Sequence, residues 1–363
     1  MKMNSLYIPP LHPTAALAIM LLGSLLLGGC VSVGPDYARP DVSVSDQWHT
    51  ALKGGLKPAA ADPGVLAAWW TTLNDEVLSG LIERAVAGNL NLKMAKARVR
   101  QARASRRAAV AEFFPSVDSS ASGKRVYSSA DTVADRVNDL YTAGFDASWE
   151  IDIFGGVRRS VEAAGADLDA AREDLRDVLV SLLGEVAMNY IDVRSYQARI
   201  GAAEGNVARQ AETYQLTLWR QQAGLGDELA VQEALSNLES TRSQVPDLRS
   251  GLEAALNRIA VLLGEQPGKV HKELEKPASI PAPPVDVAVG VPADMLRRRP
   301  DIRRTERELA AQTARVGVAT AELYPKFTLM GSIGIEALSV NRLVSTPTRS
   351  YSFGPSISWP IFK

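Results

Sequence analysis

Apolar residues recur every seven positions over a long, proline-free part of the chain, from Val157 to Gln222. A second, mostly apolar row lies four positions after the first, which is the pattern of a coiled-coil seam. The two rows are Leu168, Leu175, Leu182, Asn189, Tyr196 and Leu179, Val186, Val193, Ile200, Val207. The pattern predicts one continuous helix that is too long for a compact domain.

Glycines interrupt this helix, and a second heptad pattern follows them. The segment AGLGD, from Ala223 to Asp227, offers glycines for a helix C-terminus and Asp227 as the N-cap of the next helix. That helix is predicted to run to Leu263 with a bend at Pro246. The two helices therefore form a long antiparallel hairpin. Shorter helices are predicted over residues 75–89, 91–112 and 300–324.

Four segments alternate between apolar and polar residues with a period of two, as strands with one apolar face do. They are the segment after Pro115, Tyr141–Ile153, Phe327–Ile335 and Tyr351–Ile361. Each has about the length of a tilted transmembrane strand, which is roughly 9–11 residues. Aromatic residues near their ends suit a membrane interface. The alternative is a small soluble sheet whose apolar face points inward.

Four strands do not close a membrane barrel, because the smallest barrels have about eight strands. An open sheet edge in lipid leaves backbone groups unpaired, at several kcal/mol each. Three chains that share their strands would form a trimeric, twelve-stranded barrel. The sequence thus predicts a mainly α-helical fold with membrane β-strands.

Two phrases return at one constant offset. AEFFPSVDSS at Ala111 returns as AELYPKFTLM at Ala321, and YTAGFDASWEI at Tyr141 returns as YSFGPSISWPI at Tyr351, both 210 residues later. This predicts an internal duplication. The first repeat covers residues 75–284, including a Pro-rich linker, and an incomplete second repeat covers 285–363. The twin of the hairpin would lie beyond Lys363, so a C-terminally truncated form of a longer protein is expected.

The N-terminus reads as an export signal over residues 1–29. Lys2 precedes an apolar run, Ala15 to Leu27, which matches a signal core and is shorter than the roughly 20 residues of a membrane anchor. The run ends in Leu-Gly-Gly-Cys at Cys30 and resembles a bacterial lipobox, which implies a diacylglycerol and an N-acyl chain on Cys30. An ordinary signal peptide with a bystander cysteine is the alternative. Residues 30–74 are then a lipidated N-terminus with an extended tail.

Composition argues against an enzyme and against a nucleic-acid-binding protein. The 363 residues carry a net charge of -1, which provides no basic field for nucleic acid. The three histidines, His12, His49 and His271, are scattered, and the single cysteine is Cys30. No Cys/His cluster has metal-ligand spacing. We expect no catalytic residue, no metal and no cofactor other than the covalent lipid.

Several motifs resemble one family. The segment Arg297–Gly334, RRRPDIRRTERELAAQTARVGVATAELYPKFTLMGSIG, is similar to the TolC-like outer-membrane factor family of efflux ducts. CVSVGPDYARP, from Cys30, looks like the start of its NodT-type lipoprotein branch, and LLGEQPG and RQQAGLGD are also similar. The resemblance implies a homotrimer that joins an outer-membrane β-barrel to a periplasmic α-barrel. It also implies docking on a periplasmic membrane-fusion adaptor and an inner-membrane RND-type pump, and passive export of drugs or other small molecules.

The resemblance assigns adaptor contact to the hairpin tip, at Arg220, Ala223, Gly224, Leu225 and Asp227. The alternative is that these are only turn and cap residues. Asp146, Glu150 and Asp152 share the polar face of one strand, so they are candidates to line a pore and favour cations, or merely to solvate its wall. Two other functions stay open: a type I secretion duct for proteins, and a non-conducting structural coiled-coil lipoprotein or truncated remnant.

Overall fold

A computed structural model describes residues 32–41, 44–45, 47–59, 62–130, 133–343 and 348–362. The predicted signal peptide and Cys30 lie outside the described residues. The chain divides into two compact units. Among the described residues, the sheet unit covers 32–40, 101–170 and 305–362, and the hairpin unit covers 41–100 and 171–304.

Most of the described residues are helical, as predicted. The helices are α1 (Pro63–Ala67), α2 (Glu76–Gly88), α3 (Leu90–Ala111), α4 (Gly156–Gln222), α5 (Glu228–Leu263), α6 (His271–Leu274), α7 (Pro292–Arg298) and α8 (Pro300–Ala321). The 67-residue α4 confirms the heptad prediction, and Pro246 lies inside α5. No helix among the described residues has both the length and the apolar character that a membrane crossing requires.

A four-stranded antiparallel sheet has the order β2-β3-β5-β6, and a short parallel pair joins β1 to β4. The strands are β1 (Leu56–Lys57), β2 (Ser116–Ala130), β3 (Val133–Ile151), β4 (Val287–Ala288), β5 (Lys326–Ala337) and β6 (Arg349–Ser358). The four predicted strands are therefore confirmed, with different ends. The prediction was wrong to extend β3 through Ile153 and β6 through Ile361. Both errors fall at the ends of strands, where alternation continues although pairing with the neighbouring strand has stopped.

The hairpin unit has an apolar core between α2, the start of α3, the middle of α4 and the end of α5. Its deeply buried members include Leu78, Leu81, Ile82, Val186, Tyr190, Val193, Ile259 and Leu263. The hydroxyl of Tyr190 donates to Asp75 Oδ2 at 2.7 Å, while Asp75 Oδ1 caps α2 by accepting from the Leu78 amide. Burial, together with this hydrogen bond, raises the pKa of Tyr190. The core thus fixes the start of α2 against the long helix.

The side chain of Asn89 links the end of α5 to the start of α3. Asn89 Nδ2 donates to the Leu262 carbonyl at 2.8 Å, and its Oδ1 accepts from the Leu92 amide at 2.9 Å. One residue therefore satisfies a free carbonyl at one helix end and a free amide at another. A side chain at position 88 would clash with the carbonyl oxygen of Leu263, so this close approach requires Gly88.

Candidate functional site

The apolar side of the four-stranded sheet is exposed. Phe145, Ile333 and Tyr351 lie directly opposite one another on β3, β5 and β6, and their exposed fractions are 58%, 64% and 85%. Phe353 and Ile357 of β6 are also exposed, at 77% and 65%. A soluble sheet would bury such a face inside the protein. Among the described residues nothing covers it, whereas the soluble-sheet alternative expects this face to be buried.

The opposite side of the sheet is polar. Asp146 of β3 faces Ser332 of β5, and Ser332 faces Ser352 of β6. The hydroxyls of Ser332 and Ser352 are 2.8 Å apart, and Asp146 is directly opposite Asp118 of β2. Hydroxyl groups and carboxylates thus form a hydrophilic surface across all four strands.

A glycine pair allows the backbones of β3 and β5 to approach each other closely. Gly144 and Gly334 are directly opposite each other on β3 and β5. A Cβ on Gly144 would lie 2.7 Å from the Ile333 carbonyl oxygen and 3.0 Å from the Gly334 Cα. These Cβ positions point to the polar side. The backbones of β3 and β5 therefore approach each other closely on that side.

The first repeated phrase forms a corner between helix and strand. Trp149 of β3 donates from Nε1 to the Phe113 carbonyl at 2.9 Å, just beyond the end of α3. In the second phrase, Trp359 donates to the Leu323 carbonyl at 3.1 Å, just beyond the end of α8. The two donors, Trp149 and Trp359, are 210 residues apart, and so are the two acceptors, Phe113 and Leu323. Both phrases thus make the same contact, which the sequence prediction missed because it placed these tryptophans only in an interfacial girdle.

Replacing Trp149 with Phe is expected to lower the free energy of unfolding by about 1 kcal/mol, because the ring remains while the hydrogen bond is lost. The Trp359→Phe change should have a similar effect, and the double change should be roughly additive. Thermal unfolding followed by circular dichroism measures the stability of the single variants and of the double variant. The control is Trp219→Phe, since Trp219 is 59% exposed. The role is contradicted if Trp149→Phe, Trp359→Phe and the double variant are all as stable as the wild-type protein and Trp219→Phe.

The three pore-lining candidates lie in different surroundings. Asp146 is on the polar face, as predicted. Glu150 is near the corner, where it lines a cavity of about 170 Å³ with Glu112 and Glu322. Asp152 lies beyond the end of β3, and its carboxylate accepts from the backbone amides of Val157 and Arg158 at 3.2 and 3.0 Å. Its side chain is 11% exposed, so Asp152 does not share the polar strand face on which the prediction placed it. Asp152 caps α4, where an anion is favoured.

The hairpin end is closed as predicted. Gly224 has a φ of 75°, and the Leu225 amide donates to the Arg220 carbonyl at 2.8 Å. Asp227 caps α5 by accepting from the Ala230 amide at 2.8 Å. Leu225 is 72% exposed, beside further exposed apolar residues that the sequence prediction did not include. These are Leu216, Trp219 and Leu229.

An N-terminal strap, Ser32–Arg39, lies against α4 and α8 within the sheet unit. The Val33 amide donates to the Phe154 carbonyl at 3.1 Å. Arg159 of α4 donates to the carbonyls of Val33 and Gly34 at 3.1 and 3.2 Å and to Asp36 Oδ1 at 2.7 Å. Its side chain is 5% exposed. The strap is thus held at the corner between β3 and α4 by a buried cation that the sequence did not single out.

Electrostatics keep this cation charged. The carboxylates of Glu162 and Asp36 raise the pKa of Arg159 above its ordinary value, and Glu162 accepts from Arg159 Nη1 at 2.8 Å. The stem of Arg159 crosses α8 at Gly317, where a Cβ would come within 2.8 Å of its Cδ. The strap residue Gly34 also packs against Gly317. Small residues thus let the strap and both helices meet at one point.

Comparison with known proteins identifies relatives over nearly the whole chain. A family model described as "Outer membrane efflux protein" matches residues 81–265 and 291–363. Nodulation protein T from Rhizobium leguminosarum bv. trifolii is 35% identical over 341 residues, which cover 93% of this chain and 71% of that protein. The solvent efflux pump outer membrane protein SrpC from Pseudomonas putida is 31% identical over 350 residues, covering 95% of this chain and 74% of that protein.

A similar fold is known from a solved structure. The structure of the outer-membrane channel OprN has a TM-score of 0.81 and 38% sequence identity, and the match covers 91% of this chain and 73% of that one. The residues matched by the family model include all four strands of the sheet and both hairpin helices.

Proposed function

Because the chain belongs to the outer membrane efflux protein family, we propose that it is the exit duct of a tripartite efflux system. Its location is the outer membrane. In this proposal an inner-membrane RND-type pump supplies the energy and a periplasmic membrane-fusion adaptor joins pump and duct. The duct itself is passive and does no covalent chemistry.

One observation carries the proposal: the sheet has an exposed apolar face and an opposite face of hydroxyls and carboxylates. Lipid fits the first face, and a water-filled lumen lined by Asp146 and Glu150 fits the second. Among the described residues, β2 and β6 have no partner strand on their outer edges. Pairing of β2 with β6 of the next copy would satisfy both edges. We therefore propose a homotrimer with a twelve-stranded barrel.

The hairpin end is proposed to contact the adaptor through Arg220, Ala223, Gly224, Leu225 and Asp227. Leu225 is 72% exposed and Trp219 is 59% exposed, so the surface needs no rearrangement before an apolar partner binds. The backbone of the turn is already fixed by its caps. A preformed turn loses little conformational freedom on binding.

Replacing Leu225 with Arg is expected to weaken adaptor binding at least tenfold, or by about 1.4 kcal/mol. The change removes an apolar contact and introduces a charge, while the hairpin keeps its stability because the side chain is exposed. Biolayer interferometry with a periplasmic membrane-fusion adaptor from the same organism measures the affinity. Met188→Arg is the matched control, since Met188 is a similarly exposed residue of α4, at 67%. Equal affinity of the two variants would remove Leu225 from the contact.

Lipidation of Cys30 is proposed as a second membrane attachment, with a diacylglycerol and an N-acyl chain. The strap supports this proposal because Ser32 packs against Gly155 at the corner between strand and helix. Ser32 therefore lies beside the corner where the proposed transmembrane strand β3 passes into α4. Mass spectrometry of the N-terminal peptide of the native protein tests the proposal. An unmodified Cys30 in that peptide would overturn it.

The substrate is proposed to be a small molecule chosen by the pump. Relatives named for nodulation and for solvent efflux are 35% and 31% identical to this chain, so similar ducts serve different systems. Planar-bilayer recording of the protein isolated from the outer membrane is the decisive test. Ion-conducting channels are expected, with cation preference reduced by Asp146→Asn. A protein that inserts without conducting would be the structural lipoprotein of the alternative hypothesis.

A further inference from the structure

Helix α3 carries an exposed row of basic residues. Its 22 residues include seven basic residues and no aspartate or glutamate. Five of the seven recur at intervals of three and four residues, so they follow one face of the helix for about 21 Å at roughly 1.5 Å per residue. These five exposed residues form the basic row: Lys93, Lys96, Arg100, Arg103 and Arg107.

The basic row has no charge partner within the described part of the chain. None of its side chains forms an ion pair or a side-chain hydrogen bond with another described residue. By contrast, Arg98, on another face of α3, is 3.6 Å from a carboxylate oxygen of Asp174. Cations three or four positions apart on a helix repel each other. An anionic partner would remove this repulsion.

Helix α8 shows what can cover the equivalent face. Helices α3 and α8 begin 210 residues apart and also end 210 residues apart. At that offset Lys96 and Arg107 of the basic row are equivalent to Glu306 and Gly317 of α8. Both of these α8 residues contact the N-terminal strap. On α3 the two equivalent residues are exposed.

The strap follows α8 as an extended chain. Gly34 packs against Gly317, and Arg39 Nη2 donates to Glu306 Oε1 at 2.9 Å. The helix between these two contacts is about 17 Å long at roughly 1.5 Å per residue. The strap between them has about the same length at roughly 3.3 Å per residue, which is the rise of an extended chain. This face of α8 therefore accommodates an extended peptide segment.

The equivalent face of α3 calls for a different attachment. The backbone of the strap reaches α8 at Gly317, whereas the equivalent residue of α3 is Arg107. A segment on α3 would therefore be held by side chains, with carboxylates on ammonium and guanidinium groups. Alternate side chains of an extended chain are about 7 Å apart, and successive cations of the row are about 5–6 Å apart. An extended segment with repeated acidic residues thus complements the row along its length.

We propose that the basic row of α3 is a docking surface for an extended acidic segment of a partner protein. The segment follows α3 as the strap follows α8, and its carboxylates pair with Lys96, Arg100 and Arg103 in the middle of the row. This inference goes beyond the proposed function, because it requires neither ion conduction nor a trimer.

The test uses the full-length protein in detergent and a fluorescein-labelled peptide in which glutamate alternates with serine. Fluorescence anisotropy measures the affinity at physiological ionic strength. Wild-type protein is expected to bind the peptide. The triple variant Lys96→Gln, Arg100→Gln, Arg103→Gln should bind about tenfold more weakly, because three exposed ion pairs are lost. The double variant Arg100→Lys, Arg103→Lys keeps the charges and should retain most of the affinity.

The matched control is the triple variant Arg209→Gln, Arg242→Gln, Arg249→Gln. It changes the net charge equally, and these exposed arginines belong to α4 and α5. A tenfold loss in the row variant with unchanged affinity in the control supports the docking surface. No binding to the wild-type protein, or an equal loss in both variants, overturns it. Row-dependent binding to phosphatidylglycerol vesicles without binding of the peptide would make the row a membrane contact, which also overturns the proposal.

Discussion

Replacing Phe353 with Arg is expected to prevent stable insertion of the protein into the outer membrane. Phe353 is in the middle of β6, on the apolar side, and is 77% exposed. A cation near the middle of the lipid-facing surface costs about 2–4 kcal/mol, and a trimer would contain three of them. The amount of protein in the outer-membrane fraction, and its resistance to urea in liposomes, measure the effect.

The matched control is Ser352→Arg. Ser352 is the preceding residue, and its hydroxyl is on the polar side, 2.8 Å from that of Ser332. The same charge is solvated there if the polar side lines a lumen, so insertion should be normal. If the sheet were soluble, Phe353 would already be in water, and the two variants would behave alike. Equal insertion of both variants is the result that contradicts a lipid-facing apolar side.

Replacing Arg159 with Met is expected to release the N-terminal strap from α4 and α8. The change keeps a long apolar stem over Gly317 but removes the donors to Val33, Gly34 and Asp36. The loss is roughly 2–3 kcal/mol, because two backbone carbonyls lose a charged donor. The exposed carboxylate of Asp36 can be solvated instead and adds little. Hydrogen exchange should increase at Val33, whose amide donates to Phe154.

Arg103→Met is the control for this change, since Arg103 is an exposed arginine of α3 in the same unit. It should leave hydrogen exchange and proteolysis of the strap unaltered. Exchange in β3 and β5 provides a second comparison, because a local release of the strap leaves their pairing intact. The role of Arg159 is disproved if the strap stays protected in Arg159→Met, or if the whole sheet unit loses protection together.

The long helices and the hairpin end could be predicted because their signals are local. Heptad spacing from Leu168 onward predicts one helix, and the glycines and aspartate that follow it predict where the helix ends. The caps at Gly224 and Asp227 depend on residues only a few positions away. Alternation likewise identified the strands, since a period of two marks a two-faced sheet wherever that sheet is packed.

The sequence analysis missed roles that depend on how a side chain is placed in the folded protein. Asp152 follows the alternation of β3, yet its carboxylate accepts hydrogen bonds from the first turn of α4. Trp149 and Trp359 lie near strand ends, as an interfacial girdle requires, but their hydrogen bonds reach carbonyls 36 residues away. Arg159 is one of many arginines in the sequence and became distinct only through its burial. Composition and period carry no information about such contacts.

The sequence by itself determined the helices and strands of this protein, their order and the repetition of the corner phrase. Helix and strand periods depend only on residues that are close together in the sequence. It also determined the family, through motifs that span the chain. Only the tertiary structure decided which residues of neighbouring strands face each other, where the strap is held and which carbonyls the two corner tryptophans reach. Each of these depends on the register between strands and on packing between distant segments, which no local pattern specifies.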